Sequence, residues 1–134
     1  MKLITLIACF GLLSMACTDT KKQEKDLLKD VIEIHDEAMA KSEQAIKSKM
    51  QLDSMAKSDN SLKQPEINKV INDLTTADKK MEDWMHQFNA DNTGKSHEEI
   101  MQYLADQRKK VAQVNNQLST AVSQSTQYIS THKK

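Results

Sequence analysis

Beyond Cys17 the chain holds one proline, Pro65, and one glycine, Gly94. Proline interrupts a helix through its missing N–H, and glycine through its backbone freedom. Three long segments, residues 20–58, 65–89 and 96–132, therefore run without an internal breaker. They are rich in Lys, Glu, Gln, Ala, Met and Leu, the side chains that lose least on entering a helix. Three helices are expected. Pro65 suits a first helical turn, and Ser58-Asp59-Asn60-Ser61 before it is turn material. The stretch Asn89-Ala90-Asp91-Asn92-Thr93-Gly94 ends in a residue free to take left-handed angles, and Ser96 with Glu99 has the spacing of a capping box.

Apolar periodicity gives the same division. In the third segment His97, Ile100, Leu104, Gln107, Val111, Val114, Leu118, Ala121, Ser125 and Tyr128 recur at three- and four-residue steps. The second carries Ile67, Ile71, Leu74, Asp78, Met81, Met85 and Phe88, widened by Val70, Ala77 and Trp84. The first is looser: Leu28, Val31/Ile32, His35, Ala38/Met39, Ser42 and Ala45/Ile46, thinning through Met50, Leu52 and Met55, so its last turns are expected to fray. Short connections make neighbouring helices antiparallel, which predicts an all-α, up-down-up three-helix bundle. At ~1.5 Å per residue the middle helix spans about 37 Å and the outer two more than roughly 50 Å, so an end must overhang. Leu27, Leu28, Tyr128 and Ile129 are the candidate overhanging groups, to be covered by a second copy, a partner or a bilayer surface, or left frayed. Asp78 and Gln107 interrupt apolar seams at levels expected to match. They form a predicted polar core layer that fixes register, unless the second helix turns Ala77 inward and leaves Asp78 at the rim.

The N-terminal residues read as an export signal. Lys2 is the basic start, Leu3 to Met15 is an apolar run, and Ala16 is the small residue before Cys17. That run is well short of the roughly 20 residues that span a bilayer. Residues 1–16 are thus expected to be a cleaved lipoprotein signal, with Cys17 acylated and residues 17–134 forming one domain on a short N-terminal tether. Leu6-Ile7-Ala8-Cys9 fits the lipobox pattern more closely than Ser14-Met15-Ala16-Cys17, but leaves too short an apolar core after Lys2, below the roughly 7–15 residues such signals carry. Ser14-Met15-Ala16 would also suit release of a soluble secreted protein. Losing Lys2 leaves one basic residue fewer than the 19 acidic ones, so no field points to nucleic acid. With Cys17 the sole remaining cysteine, neither a disulfide framework nor a multi-thiolate metal site can form within one mature chain.

Two stretches, Val31-Ile32-Glu33-Ile34-His35-Asp36-Glu37-Ala38-Met39 and Ala77-Asp78-Lys79-Lys80-Met81-Glu82-Asp83-Trp84-Met85-His86-Gln87-Phe88, resemble small envelope lipoproteins of Bacteroidota often labelled "viral A-type inclusion protein". In that group a His-Asp-Glu-x-Met stretch opens the first helix and a Met-x-x-Trp-Met stretch closes the second. The resemblance implies a helical envelope lipoprotein and no particular reaction. It departs at Met39-Ala40-Lys41-Ser42, where the group has Met-Pro-Lys-Met.

Antiparallel pairing should set His35 opposite residues 82–88 and Met39 opposite residues 78–84. A short second loop should bring His97 near Phe88 and Met85, gathering His35, Met39, Met81, Met85 and His97 at one end. Thioether with imidazole is a Cu(I)-type donor set, and a His/Met pair also serves haem, so a metal- or haem-handling bundle is the alternative reading. Against it, methionine at helical spacing is ordinary core filler. Catalytic signatures fail: His97-Glu98-Glu99-Ile100-Met101 lacks the second histidine of H-E-x-x-H, and Asp83 with His86 is a single, shortened version of a di-iron Glu-x-x-His motif. The expectation is a non-enzymatic protein-interaction or structural module without a cofactor, acting on an unidentified envelope protein, with a homodimer possible. Asp19 stands alone ahead of Lys21 and Lys22, without the acidic run of surface-exported Bacteroidota lipoproteins, which favours a periplasm-facing outer-membrane location. Metabolic labelling with a fatty acid should therefore mark the parent protein and not Cys17→Ser; label that persists in the serine variant would rule out Cys17 as the anchor.

Overall fold

The structure, a computed structural model, describes residues 14–59 and 62–132, with side chains from Asp19 onward. Most of the expected signal segment and the Cys17 side chain lie outside that description. Three α-helices pack side by side: α1 (Ser14–Ser58), α2 (Gln64–Gln87) and α3 (His97–His132). The bundle is the up-down-up arrangement expected, and among the described residues its core cluster runs from Val31 to Ile129. Helix α1 begins earlier than residue 20 because neither glycine nor proline separates Ser14 from Asp19.

The punctuation acts as its chemistry requires. Pro65 lies in the first turn of α2, where its absent N–H leaves no partner wanting. Gly94 takes φ 76°, a left-handed angle that a side chain would disfavour. Before it the chain turns on local side-chain bonds: the Asp91 N–H donates to Asn89 Oδ1 at 2.8 Å and the Thr93 N–H to Asp91 Oδ1 at 2.9 Å. Helix α3 then opens on a reciprocal cap. The Ser96 N–H donates to Glu99 Oε2 at 2.8 Å, and the Glu99 N–H to Ser96 Oγ at 3.3 Å. The Ser96 N–H and hydroxyl hold the Glu99 carboxyl below its ordinary pKa, so this cap's contribution is complete at neutral pH and fades as acid titrates Glu99.

In α1 the core positions are Val31, Ala38, Ala45 and Leu52, all seven residues apart and almost wholly buried. Each apolar doublet of the sequence is split: Val31, Ala38 and Ala45 turn inward, while Ile32, Met39 and Ile46 turn out. Adjacent helical residues sit ~100° apart, so one face cannot take both. Facing this seam are Ile67, Leu74, Ala77, Met81 and Trp84 of α2, and Leu104, Val111, Leu118 and Ala121 of α3. The expected fraying of α1 is absent, since Leu52 is fully buried and Met55 and Ala56 pack on the core. Tyr128 and Ile129 also pack there and do not overhang, because α3 ends level with the α1–α2 connection where Leu62 joins the cluster. Tyr128 stacks on His132 with ring centroids 4.2 Å apart, and burial raises its hydroxyl pKa.

Leu52→Ala and Leu104→Ala should each cost about 2–5 kcal/mol in urea unfolding, as truncations of fully buried side chains. Met50→Ala, two residues from Leu52 but 68% exposed, should shift stability by less than about 0.5 kcal/mol. Equal costs at residues 50 and 52 would mean that α1 is rotated from the orientation described.

Candidate functional site

The helices are locked in register by polar bonds, which decide where every candidate residue falls. Between α1 and α2, the Ser42 hydroxyl donates to Asp78 Oδ1. Between α1 and α3, Lys41 Nζ donates to Asn115 Oδ1 at 2.7 Å, and Asn115 Nδ2 to Glu37 Oε2 at 3.1 Å. Arg108 pairs with Asp30 at 3.3 Å lower on the same interface. Val114 packs on the core as expected for the α3 seam, and Asn115 beside it is the more deeply buried of the two. A step of four from Val111 to Asn115, where the heptad pattern suggested three, was the available signal.

At the α2–α3 turn, Trp84 stacks on Phe88 at 5.0 Å between centroids, and Phe88 on Tyr103 at 6.2 Å. The Asn89 N–H donates to the Tyr103 hydroxyl at 2.8 Å, and Lys95 Nζ lies 5.0 Å from the Tyr103 ring centre. Phe88 is thus held against the second turn of α3, and that helix begins well past the end of α2. His97 consequently lies beside Glu24 of α1, its Nδ1 2.8 Å from Glu24 Oε1.

This register takes His97 out of the expected His/Met cluster. Eleven residues of α1 separate Glu24 from His35, about 16 Å along the axis, so His97 and His35 belong to different levels. His35 does meet α2 where antiparallel pairing placed it, 5.8 Å from Trp84 between ring centroids, with its Nδ1 2.9 Å from Asp36 Oδ1. Met81 is core, whereas Met39 and Met85 are exposed. His97 therefore does not join His35 at the level of Trp84, and the five side chains are not gathered at one end of the bundle.

The expected Asp78–Gln107 layer needs the same correction. Asp78 bonds to Ser42, and its neighbour Ala77 lines a groove with Asn116 and Gln117, some ten residues beyond Gln107 on α3. Gln107 stands level with Trp84, four residues after Tyr103 as Trp84 is four before Phe88. Its Oε1 and the Trp84 indole N–H are both buried without a hydrogen-bond partner among the described residues.

Two surface features remain. The α2–α3 groove, about 480 Å³ and wide open, has Ala77 and Ala121 at its base and amides and hydroxyls such as Asn72, Thr76 and Gln124 around them. The α1–α2 side differs in kind. Ile32, Met39, Ile46 and Met50 of α1 and Met85 of α2 are exposed there, from 37% at Met85 to 68% at Met50. Asp36, Glu43, Asp78 and Glu82 accompany them, placed by the same helical phase that turns Ser42 and Asp78 toward each other. The Glu43 carboxyl, hydrogen-bonded to Lys47, is held below its ordinary pKa. Elsewhere the exposed faces carry lysine–carboxylate pairs one turn apart, such as Lys22–Asp26, Lys69–Asp73 and Lys110–Asp106. No family model, curated protein or solved structure matches the chain.

Gln107→Leu should leave stability unchanged or raise it, because it removes an unpaired buried oxygen and retains the volume. Ser42→Ala should cost on the order of 1 kcal/mol or more, since the half-buried Asp78 carboxylate loses its donor. Thermal unfolding of the two variants measures both, and a Gln107→Leu protein clearly less stable than the parent would reveal a partner for that oxygen.

Proposed function

We propose that this chain is a non-catalytic interaction module, tethered to the bacterial envelope through acylated Cys17, that holds a partner protein on its α1–α2 face. The observation that carries the reading is the exposed row Ile32, Met39, Ile46, Met50 and Met85. Single exposed apolar groups are ordinary, but a contiguous row of five on a small bundle marks a contact surface. The core does not need them, because Val31, Ala38, Ala45 and Leu52 already fill the inward face of α1.

Tethering rests on Lys2, the short apolar core and Cys17, and the resemblance to Bacteroidota lipoproteins points the same way. Among the described residues no helix is long and apolar enough to cross a membrane. A lipid on Cys17 would supply the membrane affinity, about 0.8 kcal/mol per buried methylene. Seven residues, roughly 10 Å of helix, separate Cys17 from Glu24, whose side chain bonds to α3, so α1 would serve as a short stalk as well as a wall of the bundle. We place the module on the periplasmic side of the outer membrane, in keeping with the absence of an acidic run after Cys17.

Photo-crosslinking residues introduced at Met39 and Ile46 in the cells that make the protein should give discrete adducts, while the same residue at Gln113, exposed on α3, should not. Adducts of equal yield at all three positions, or at none, would remove the α1–α2 face as the working surface.

A further inference from the structure

We propose that the occupant of the α1–α2 groove is one amphipathic helix of a partner protein, with apolar residues at three- and four-residue steps and Lys or Arg at its flanks. The proposal rests on reading this face as the working surface and adds the chemistry of what sits there.

Shape is the first reason. Ile32, Met39 and Ile46 are spaced seven residues apart, one projection every two turns, the repeat with which a packed helix meets its neighbour. From Ile32 to Met50 the row is about 27 Å long, the length of a five-turn helix. A helix laid beside α1 and α2 would cover that row and turn three helices into a four-helix bundle. Three of the five exposed groups are methionines, whose flexible thioether chains adjust to a neighbouring surface.

Charge selects the occupant. Asp36, Glu43, Asp78 and Glu82 edge the groove, and Glu82 has no hydrogen-bond or ion-pair partner among the described residues. Of the lysines beside them, Lys47 pairs with Glu43 itself at 2.6 Å, Lys79 pairs with Asp83 at 3.2 Å, and Lys49 stands between Ile46 and Met50, which leaves the acids of the groove in excess. A second copy would oppose acid to acid. Two such faces brought together double the local excess of acid, and in a parallel pairing each carboxylate faces itself. A basic helix meets the same groups with complementary charge, which both favours it and rejects acidic competitors.

The test uses residues 19–134 and two labelled synthetic peptides of about five helical turns, alike in their leucine seam but flanked by Lys in one and Glu in the other. In fluorescence anisotropy the Lys peptide should bind at least about ten-fold more tightly, weaken as salt is raised, and lose about ten-fold or more with Ile46→Glu. Circular dichroism should be unchanged in that variant, since Ile46 is 49% exposed. The double variant Glu43→Lys with Glu82→Lys should reverse the preference between the peptides. Equal binding of both peptides would overturn the charge selection, and binding unaffected by Ile46→Glu would overturn the site. If neither peptide binds while crosslinks at Met39 and Ile46 persist in cells, the helical occupant is wrong and the working surface stands. A dimer in sedimentation velocity that Ile46→Glu dissolves would give the groove to a second copy and overturn the proposal.

Discussion

How far α3 slides past α2 depends on the aromatic stack Trp84–Phe88–Tyr103 and on the Asn89 N–H held by the Tyr103 hydroxyl. A helical core by itself tolerates several registers, because moving one helix by a heptad exchanges one apolar layer for another. Clamping Phe88 to Tyr103 removes that freedom at one end. The Asn115 amide, bonded to both Lys41 and Glu37, removes it near the middle of α3. The two Asn115 bonds are partly buried, where a lost partner is costlier than at an exposed surface pair. From that register follow His97 beside Glu24, Gln107 beside the level of Trp84, and the coincidence of the α3 end with the α1–α2 connection.

The same register explains why one side of the bundle remains apolar outside. Alanine at positions 38 and 45 of α1 leaves space for α3 to approach closely, and the α1–α3 interface is the most extensive of the three. Rolling α1 toward α3 buries Val31, Ala38 and Ala45 and carries the larger Ile32, Met39 and Ile46 away from α3, toward the outer side of α2. Had the larger residues faced inward, the core would have needed a wider helix spacing than Ala77 and Ala121 can fill. With Val31, Ala38, Ala45 and Leu52 filling the inward face, the outward Ile32, Met39 and Ile46 add little to the core.

Much of this architecture was legible in the residues. Pro65, Gly94 and the Ser96/Glu99 pair each act locally, through bonds or angles within a few positions, and local chemistry is what a sequence states directly. The α1–α2 pairing was also accessible, because a short connection and period alone put His35 against Trp84. What could not be read was non-local. The offset of α3 is set by one hydroxyl meeting a backbone N–H fourteen residues earlier, and nothing in the periodicity of either helix encodes it. For that reason His97 and Gln107 were each placed beside the wrong neighbours. The doublets Val31/Ile32, Ala38/Met39 and Ala45/Ile46 were undecidable for a related reason. Both members are apolar, and only the position of α3 chooses between them.

The chain's formal net charge is zero, yet the α1–α2 groove is edged by four carboxylates. Overall neutrality means that no long-range field draws a partner toward the molecule, and at physiological ionic strength a field would in any case decay within about 8 Å. Selection by charge must then operate at contact, after the apolar row has begun to be covered and the local dielectric has fallen. Carboxylates at the border of an apolar strip suit that order of events, since each becomes more costly to leave unpaired as water is excluded. On the proposal made above, such a groove would discriminate through dissociation more than through encounter, holding a basic helix longer and releasing an acidic or neutral one sooner. Were α1 tethered by lipid at Cys17, as proposed, slow release would be the useful property, because the membrane would already keep the module among its partners.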